Sequence, residues 1–384
     1  MPAPADVQLI MQNLYNSVVR PVLFAMNPER IHNLTLRSCE IAGAFDWIRR
    51  AARARWSFRD PRLSQTIAGI YFENPIGLAA GFDKNGRAIE LMGELGFGHV
   101  EIGSISAHPS KGNPRPRLFR IRDDEAIIVN YGVPNEGADV VANRLKTKTC
   151  SVPLGINLVK TNDSLRPTTD EEVLSDYASA CQRLESYGSY INLNMSCPNS
   201  ANDQNYFDDL PRVNLLLERL GRQAPRIPVF LKLKPTMDRG VLADVVAIAD
   251  QFSFVAGFGI NLPAGKPDGL ECRTSAIRLA ELPGAVSGRP VERIINANLK
   301  LLFEVIGPRS RYKLIAAGGV YSADDAYRKI RLGASLVQLY TALVYRGPGL
   351  VKEILKGLVE LLERDGFENI TDAVGADLVG SGRG

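Results

Sequence analysis

The sequence has 384 residues, and its 46 Lys plus Arg against 42 Asp plus Glu leave a net charge of +4. That balance is too weak for a nucleic-acid footprint, and 45% hydrophobic residues supply an ample core and exclude long disorder. Five cysteines without a CxxC pair speak against a disulfide framework or a zinc site, and three histidines (His32, His99, His108) speak against a His-based metal centre.

Residues 1–60 read as helical. Leu9, Ile10, Leu14, Val18, Leu23 and Phe24 recur at helical spacing, and a second pattern from Pro28 carries Ile31, Leu34, Leu36, Ile41 and Trp47. It ends in Arg49, Arg50, Arg53 and Arg55. Periodicity alone favours a helical hairpin capping a larger domain over a membrane-surface element with a basic edge. No apolar run approaches the ~18–20 residues of a membrane span, and the start MPAPADVQLI lacks a signal peptide's basic end, so an intracellular protein is expected.

From residue 62 onward, short apolar runs alternate with helical stretches. The runs are 76–79, 99–105, 152–158, 190–196, 227–234, 254–262, 313–319 and 335–340, with crossovers such as Asp170–Ser186 and Asp238–Gln251. Eight such units predict an α/β fold, a (β/α)8 TIM barrel over residues 61–384 preceded by the helical extension 1–60. The open doubly wound alternative would show a GxGxxG turn after its first strand, which is absent here.

A barrel carries its chemistry at the carboxyl ends of its strands. There the sequence places Ala79-Ala80-Gly81 and Lys84, Ser104, Asn157, Asn194 through Asn199, Lys232, Asn261, Gly318-Gly319 and Tyr340-Thr341. One asparagine is explained as a turn residue, but eight polar strand ends are not. Amides, two lysines and close-approach glycines suit a flat polar ligand, and Gly288 with Gly318-Gly319 lie where barrels bind phosphate. FMN meets that description, with Lys232 beside its N1/C2=O edge. Cys197, between Asn194 and Asn199 and before Pro198, is the candidate base.

The segments NPIGLAAGFDKNG (74–86), GFGHVEIGSI (96–105), GNPRPRLFR (112–120), LGIN (154–157), NMSCPN (194–199), SGRP (287–290), AAGG (316–319) and GASLVQLYTALVYRGPG (333–349) resemble the dihydroorotate dehydrogenases, as does the tail DGFENITDAVGAD (365–377). The extension, including NPERIH (27–32), resembles the membrane-associated, quinone-dependent class 2 enzymes. The resemblance implies FMN-dependent oxidation of dihydroorotate to orotate in pyrimidine synthesis, with hydride passing to flavin N5, a proton to Cys197, and quinone reoxidising the flavin. It implies flavin contacts at Ala79, Ala80, Gly81, Ser104, Asn157, Asn194, Lys232, Ser287, Gly288, Gly318, Gly319, Tyr340 and Thr341. Substrate contacts are implied at Lys84, Asn194, Asn199 and Asn261, and quinone contacts at His32, Arg120 and Tyr340. The implied setting is peripheral, on the cytoplasmic side of an inner membrane, or cytoplasmic.

The sequence also departs from that pattern. Cys197 stands where class 2 enzymes use Ser, as in the soluble class 1 enzymes. Val129 stands where the family has a substrate-reading Asn, and Asn130 could replace it only after a one-residue shift. Val133 replaces a Phe, Leu262-Pro263 follow Asn261 where Thr is expected, and SANDQNYFDDL lacks the family's PGLR-type lid. A paralogue that desaturates or reduces another carbonyl-activated C–C bond is therefore the alternative expectation.

Overall fold

The computed structural model describes residues 15–162, 169–196, 206–308 and 310–379. After the N-terminal helices comes an antiparallel hairpin, β1 (Gln65–Ile67) and β2 (Ile70–Phe72). The next strands are β3 (Ile76–Leu78) and β4 (His99–Ile105), then the pair β5 (Leu118–Ile121) and β6 (Ala126–Val129). β7 (Leu154–Leu158), β8 (Tyr190–Asn194), β9 (Val229–Leu233) and β10 (Val255–Ile260) follow, then β11 (Ala285–Gly288), β12 (Lys313–Ala317) and β13 (Ala334–Leu339).

Strands β3, β4, β7, β8, β9, β10, β12 and β13 close into a parallel barrel, with β13 returning to β3 at Val337 opposite Ile76. All eight coincide with the apolar runs read from the sequence. Strands wrapped by helices are buried on both faces, so they read as continuous apolar stretches rather than as alternation; β7, β8 and β9 are buried at every position. Layers inside the barrel interlock by size. A Cβ on Gly77 would fall 2.0 Å from His99 Nε2, and one on Gly155 would fall 2.2 Å from Tyr190 Cζ. The floor is apolar: Phe72 of the hairpin meets the His99 ring edge-on at 5.6 Å, among Ile67, Phe230, Ile315 and Leu336.

A feature the sequence did not announce is a second, three-stranded antiparallel sheet, β11-β6-β5, standing beside the barrel mouth. It joins the excursion after β4 to the one after β10 through the register Leu118–Val129–Ala285.

The N-terminal pattern also needs correction. The run from Pro28 to beyond Trp47 is two helices, α2 (Pro28–Gly43) and α3 (Asp46–Trp56), preceded by α1 (Arg20–Ala25). Asn27 starts α2 by accepting the Glu29 and Arg30 amides at 3.1 Å, and Pro28 fills the first position. The break follows Gly43, where a Cβ would lie 3.2 Å from the Leu91 backbone nitrogen. The part of the first pattern at Leu9, Ile10 and Leu14 lies outside the described residues.

This arm is fastened to the small sheet by arginines. Arg120 donates to the Phe24 and Met26 carbonyls at 3.1 and 3.2 Å, and Arg122 to Phe24 at 2.6 Å. The Arg120 guanidinium also lies 4.5 Å from the centre of the Phe24 ring. Glu29 of α2 accepts from Arg117 at 2.8 and 3.0 Å and from Arg115 at 3.1 Å. The arm leaves Val18, Val22, Leu34, Ile41, Phe45 and Trp47 exposed, the last at 66%. Among the described residues no helix is long and apolar enough to cross a membrane.

Candidate active site

The carboxyl ends of the strands form the mouth of the barrel. On one side β3, β12 and β13 run into a cleft bordered by Ala79, Ala80, Gly318, Gly319, Tyr340 and Thr341. Lys232 from β9, Asn261 after β10, and Ser287-Gly288 from the small sheet complete it. Glycine is needed at two of these places. Gly288 has φ +98°, and a Cβ there would sit 2.6 Å from the Glu125 carbonyl oxygen. Gly319 has φ +71°, with the Glu292 Cβ 2.4 Å from where its own would be. At both places the protein's own packing leaves no room for a side chain. Ser287 Oγ donates to the Ile127 carbonyl at 2.9 Å and lies 3.0 Å from Thr341 Oγ1, tying the small sheet to the last barrel strand.

Across the mouth the predicted amides form a continuous chain. Ser104 Oγ donates to Asn157 Oδ1 at 2.5 Å, and Asn194 Nδ2 donates to Ser104 Oγ at 3.0 Å. Asn261 Nδ2 donates to Asn194 Oδ1 and to the Ser196 carbonyl, both at 3.0 Å. Gly81 enters the same rim, its N–H on the Gly103 carbonyl at 2.7 Å. Four strand ends are therefore locked into one polar wall.

Below that wall lies what sequence reading missed. Lys232 Nζ faces Glu101 Oε1 at 3.5 Å, and Glu101 is fully buried in the barrel axis. Burial alone would raise its carboxyl, but the Lys232 charge and hydrogen bonds from Gln338 and Asn192 hold it below the ordinary value.

Lys84, expected at the substrate, lies in the loop that follows β3. Its ammonium donates to the Gly81 carbonyl at 2.7 Å and lies 3.9 Å from the centre of the Tyr131 ring. Burial, then the nearby Arg117, push it down to about 8. It borders a polar cavity of about 700 Å³ reached beneath α2. Asn130 is likewise engaged: its Oδ1 accepts from Asn113 Nδ2 at 3.0 Å. Val129 is paired to both Leu118 and Ala285, so the one-residue shift that would make Asn130 its substitute is closed off. Val133 sits at φ +48°, an unfavourable conformation for a β-branched residue. Cys197 and Asn199 lie outside the described residues. The adjoining Ser196 is fixed by its N–H on Asn194 Oδ1 and its hydroxyl on the Lys232 carbonyl, both at 3.3 Å.

A separate apolar cavity of about 290 Å³ separates the arm from the barrel, lined by residues such as Leu23, Ile31, Trp56, Met92 and Leu343. All three residues expected at a quinone site border it: His32, Arg120 and Tyr340. His32 is buried among Phe82, Tyr340 and Tyr131, at ring distances of 5.4, 6.1 and 6.5 Å. Burial, then the Lys84 charge, push it down to about 3, so it is neutral, and its Nε2 has no hydrogen-bond partner. Tyr340 borders the cleft as well as the apolar cavity.

A closed barrel with polar groups from every quarter of its C-terminal mouth defines an enzyme of the (β/α)8 class. The family described as Dihydroorotate dehydrogenase matches residues 62–362. A dihydroorotate dehydrogenase (quinone) of Halobacterium salinarum is 37% identical over 365 residues, covering 94% of this chain and 99% of that one. Its counterpart in Acidithiobacillus ferrooxidans is 38% identical over 375 residues, covering 94% and 98%. A crystal structure of DHODH from Eimeria tenella in complex with ferulenol superposes with a TM-score of 0.77 at 27% identity, covering 94% of this chain and 98% of that one. This chain belongs to the dihydroorotate dehydrogenase family.

Proposed function

We propose that this protein oxidises dihydroorotate to orotate and passes the electrons to quinone, as a step of pyrimidine synthesis. The observation that carries this reading is the pair of cavities, the cleft at the barrel mouth and the apolar cavity beneath the arm, that share Tyr340. The residues present fit FMN. Gly81 has φ +99° and nothing nearer than 4.0 Å to the place of its absent Cβ, so a flat ring system has room there. Gly288, Gly318, Gly319 and Thr341 offer backbone to a phosphate at the other end, and Lys232 gives a buried positive charge between. Ala79, Ala80, Ser104, Asn157, Asn194, Ser287 and Tyr340 complete the set that would hold it. Bound there, FMN would supply a hydride acceptor for the substrate and an electron donor for quinone.

The chain's own residues have distinct tasks in this reading. Asn194, Asn261 and Asn199 hold the amide and carboxylate edges of the substrate, with the Lys84 ammonium as the nearby positive charge. Cys197 takes the proton from carbon; a thiol starts nearer neutrality than the hydroxyl it replaces and needs less activation. The neutral His32 leaves Nε2 without a protein partner, an acceptor for a hydroxyl of the reduced quinone at the apolar cavity, and Arg120 and Tyr340 stand at its edge.

Val129 favours a second reading, in which a related ring with another activated C–C bond is the substrate. A missing amide partner costs roughly 1–3 kcal/mol, or about one to two decades of affinity for dihydroorotate. Anaerobic mixing of the oxidised protein with L-dihydroorotate separates the two. Bleaching of the visible flavin band is expected; a band that dithionite bleaches but dihydroorotate does not would assign the enzyme a different substrate.

The exposed apolar side chains of the arm, beside Arg30, Arg37 and Arg50, support docking on the cytoplasmic face of an inner membrane. The protein is expected to co-sediment with vesicles containing anionic lipid, and Trp47→Glu to release it. Equal sedimentation of the two would place the contact elsewhere.

A further inference from the structure

We propose that Glu101 is a positioning residue that offsets the charge of Lys232 and so sets the midpoint potential of the flavin; this rests on the FMN reading above. Glu101 points into the barrel from the middle of β4 and receives donors from four other strands. Asn157 Nδ2 reaches it at 3.0 Å, Asn192 Nδ2 at 3.1 Å, Tyr190 Oη at 3.1 Å and Gln338 Nε2 at 2.9 Å, with Lys232 Nζ at 3.5 Å. Burying a carboxylate costs several kcal/mol unless charge and hydrogen bonds compensate it, and here both do so. Beneath them the His99 ring and the apolar floor close the barrel, so the pair is shielded from solvent on that side.

Lys232 has two neighbours of consequence, Glu101 below and the cleft above. A bare ammonium against the flavin would stabilise added negative charge strongly. With a carboxylate 3.5 Å behind it, the cleft feels a dipole whose field falls away faster than that of a single charge. Glu101 thereby lowers the potential and keeps the reduced flavin able to give up its electrons. It also fixes Asn157, the amide bonded to Ser104 on the rim. It touches no reacting atom; it acts through Lys232 and Asn157.

The surroundings suit a direct test. Asn192 Oδ1 and Gln338 Oε1 are buried acceptors with no partner, so the N–H groups of Glu101→Gln have oxygens to meet. Spectroelectrochemical titration of FMN-loaded E101Q is expected to show a rise in midpoint potential of at least about 30 mV, a tenfold change in the two-electron equilibrium. Tyr190→Phe removes a hydrogen bond to Glu101 but not its charge, and should shift that equilibrium less than twofold even where thermal stability falls. If E101Q does not accumulate, Glu101→Asp, which draws the carboxylate back by one methylene, should give a smaller rise of the same sign. An unchanged potential in the glutamine variant, or in the aspartate variant standing in for it, would overturn the proposal, as would an equal shift in Y190F. Wild-type protein that folds but holds no FMN would instead remove the flavin reading on which it stands.

Discussion

Replacing Cys197 by Ala is expected to slow reduction of the flavin by dihydroorotate by at least the ~10²-fold typical of losing a general base, with FMN still bound. The two readouts separate chemistry from assembly, because all but one of the residues that would hold FMN come from other strand ends, Asn194 alone sharing that of Cys197. Asn194 and Ser196 carry the chain up to this position on a fixed course, their bonds running to Ser104, Asn261 and the Lys232 carbonyl. A thiol acts as a base only as thiolate, so the wild-type rate should rise with pH as the thiol titrates. In Cys197→Ser the rise should move to higher pH. Stopped-flow reduction across pH checks both, and an unchanged rate in C197A would remove Cys197 from the mechanism.

Removing Glu29 should loosen the arm. Glu29 and Arg117 are both buried, and Arg117 keeps only the carbonyls of Lys111 and Asn113, at 2.9 and 3.2 Å, when the carboxylate is gone. Breaking a buried pair in this way costs about 3–5 kcal/mol, because a desolvated charge is left behind. Glu29→Ala is therefore expected to reduce hydrogen-exchange protection of the α2 amides by about two to four decades, with the barrel strands little changed. The pH dependence follows from the sign of the shift. Burial would raise the Glu29 carboxyl, but hydrogen bonds from Arg117 and Arg115 bring it below its ordinary value. Its contribution is then complete above the unfolded value near 4.5 and is lost as pH falls through the lower folded value. Wild type and variant should converge at the acid end; a protection difference that persists there, or none at neutral pH, would show that the arm is held by something else.

How much of this was legible in the sequence depends on whether a feature is local. The eight barrel strands were, since a strand buried on both faces writes itself as one apolar run. The rim amides were too, because each follows such a run directly. The sheet β11-β6-β5 was not: its strands span only four residues each, and β6 meets β11 from a distant part of the chain. Glu101 was hidden for a related reason. One acidic residue inside HVEIGSI looks like an interruption until barrel closure brings Asn157, Tyr190, Asn192, Lys232 and Gln338 around it. The break at Gly43 was equally silent, since the apolar spacing runs on across it while the close approach to Leu91 belongs to tertiary structure.

The position of Tyr340 has a consequence for inhibitor design. If the proposed function holds, with quinone in the apolar cavity and substrate at the mouth, a compound filling the apolar side would block reoxidation without entering the mouth, although one side chain borders both. On that reading, raising the substrate concentration would not displace such a compound. Its selectivity would be drawn from arm residues such as Leu23, Ile31 and Trp56 rather than from the rim amides.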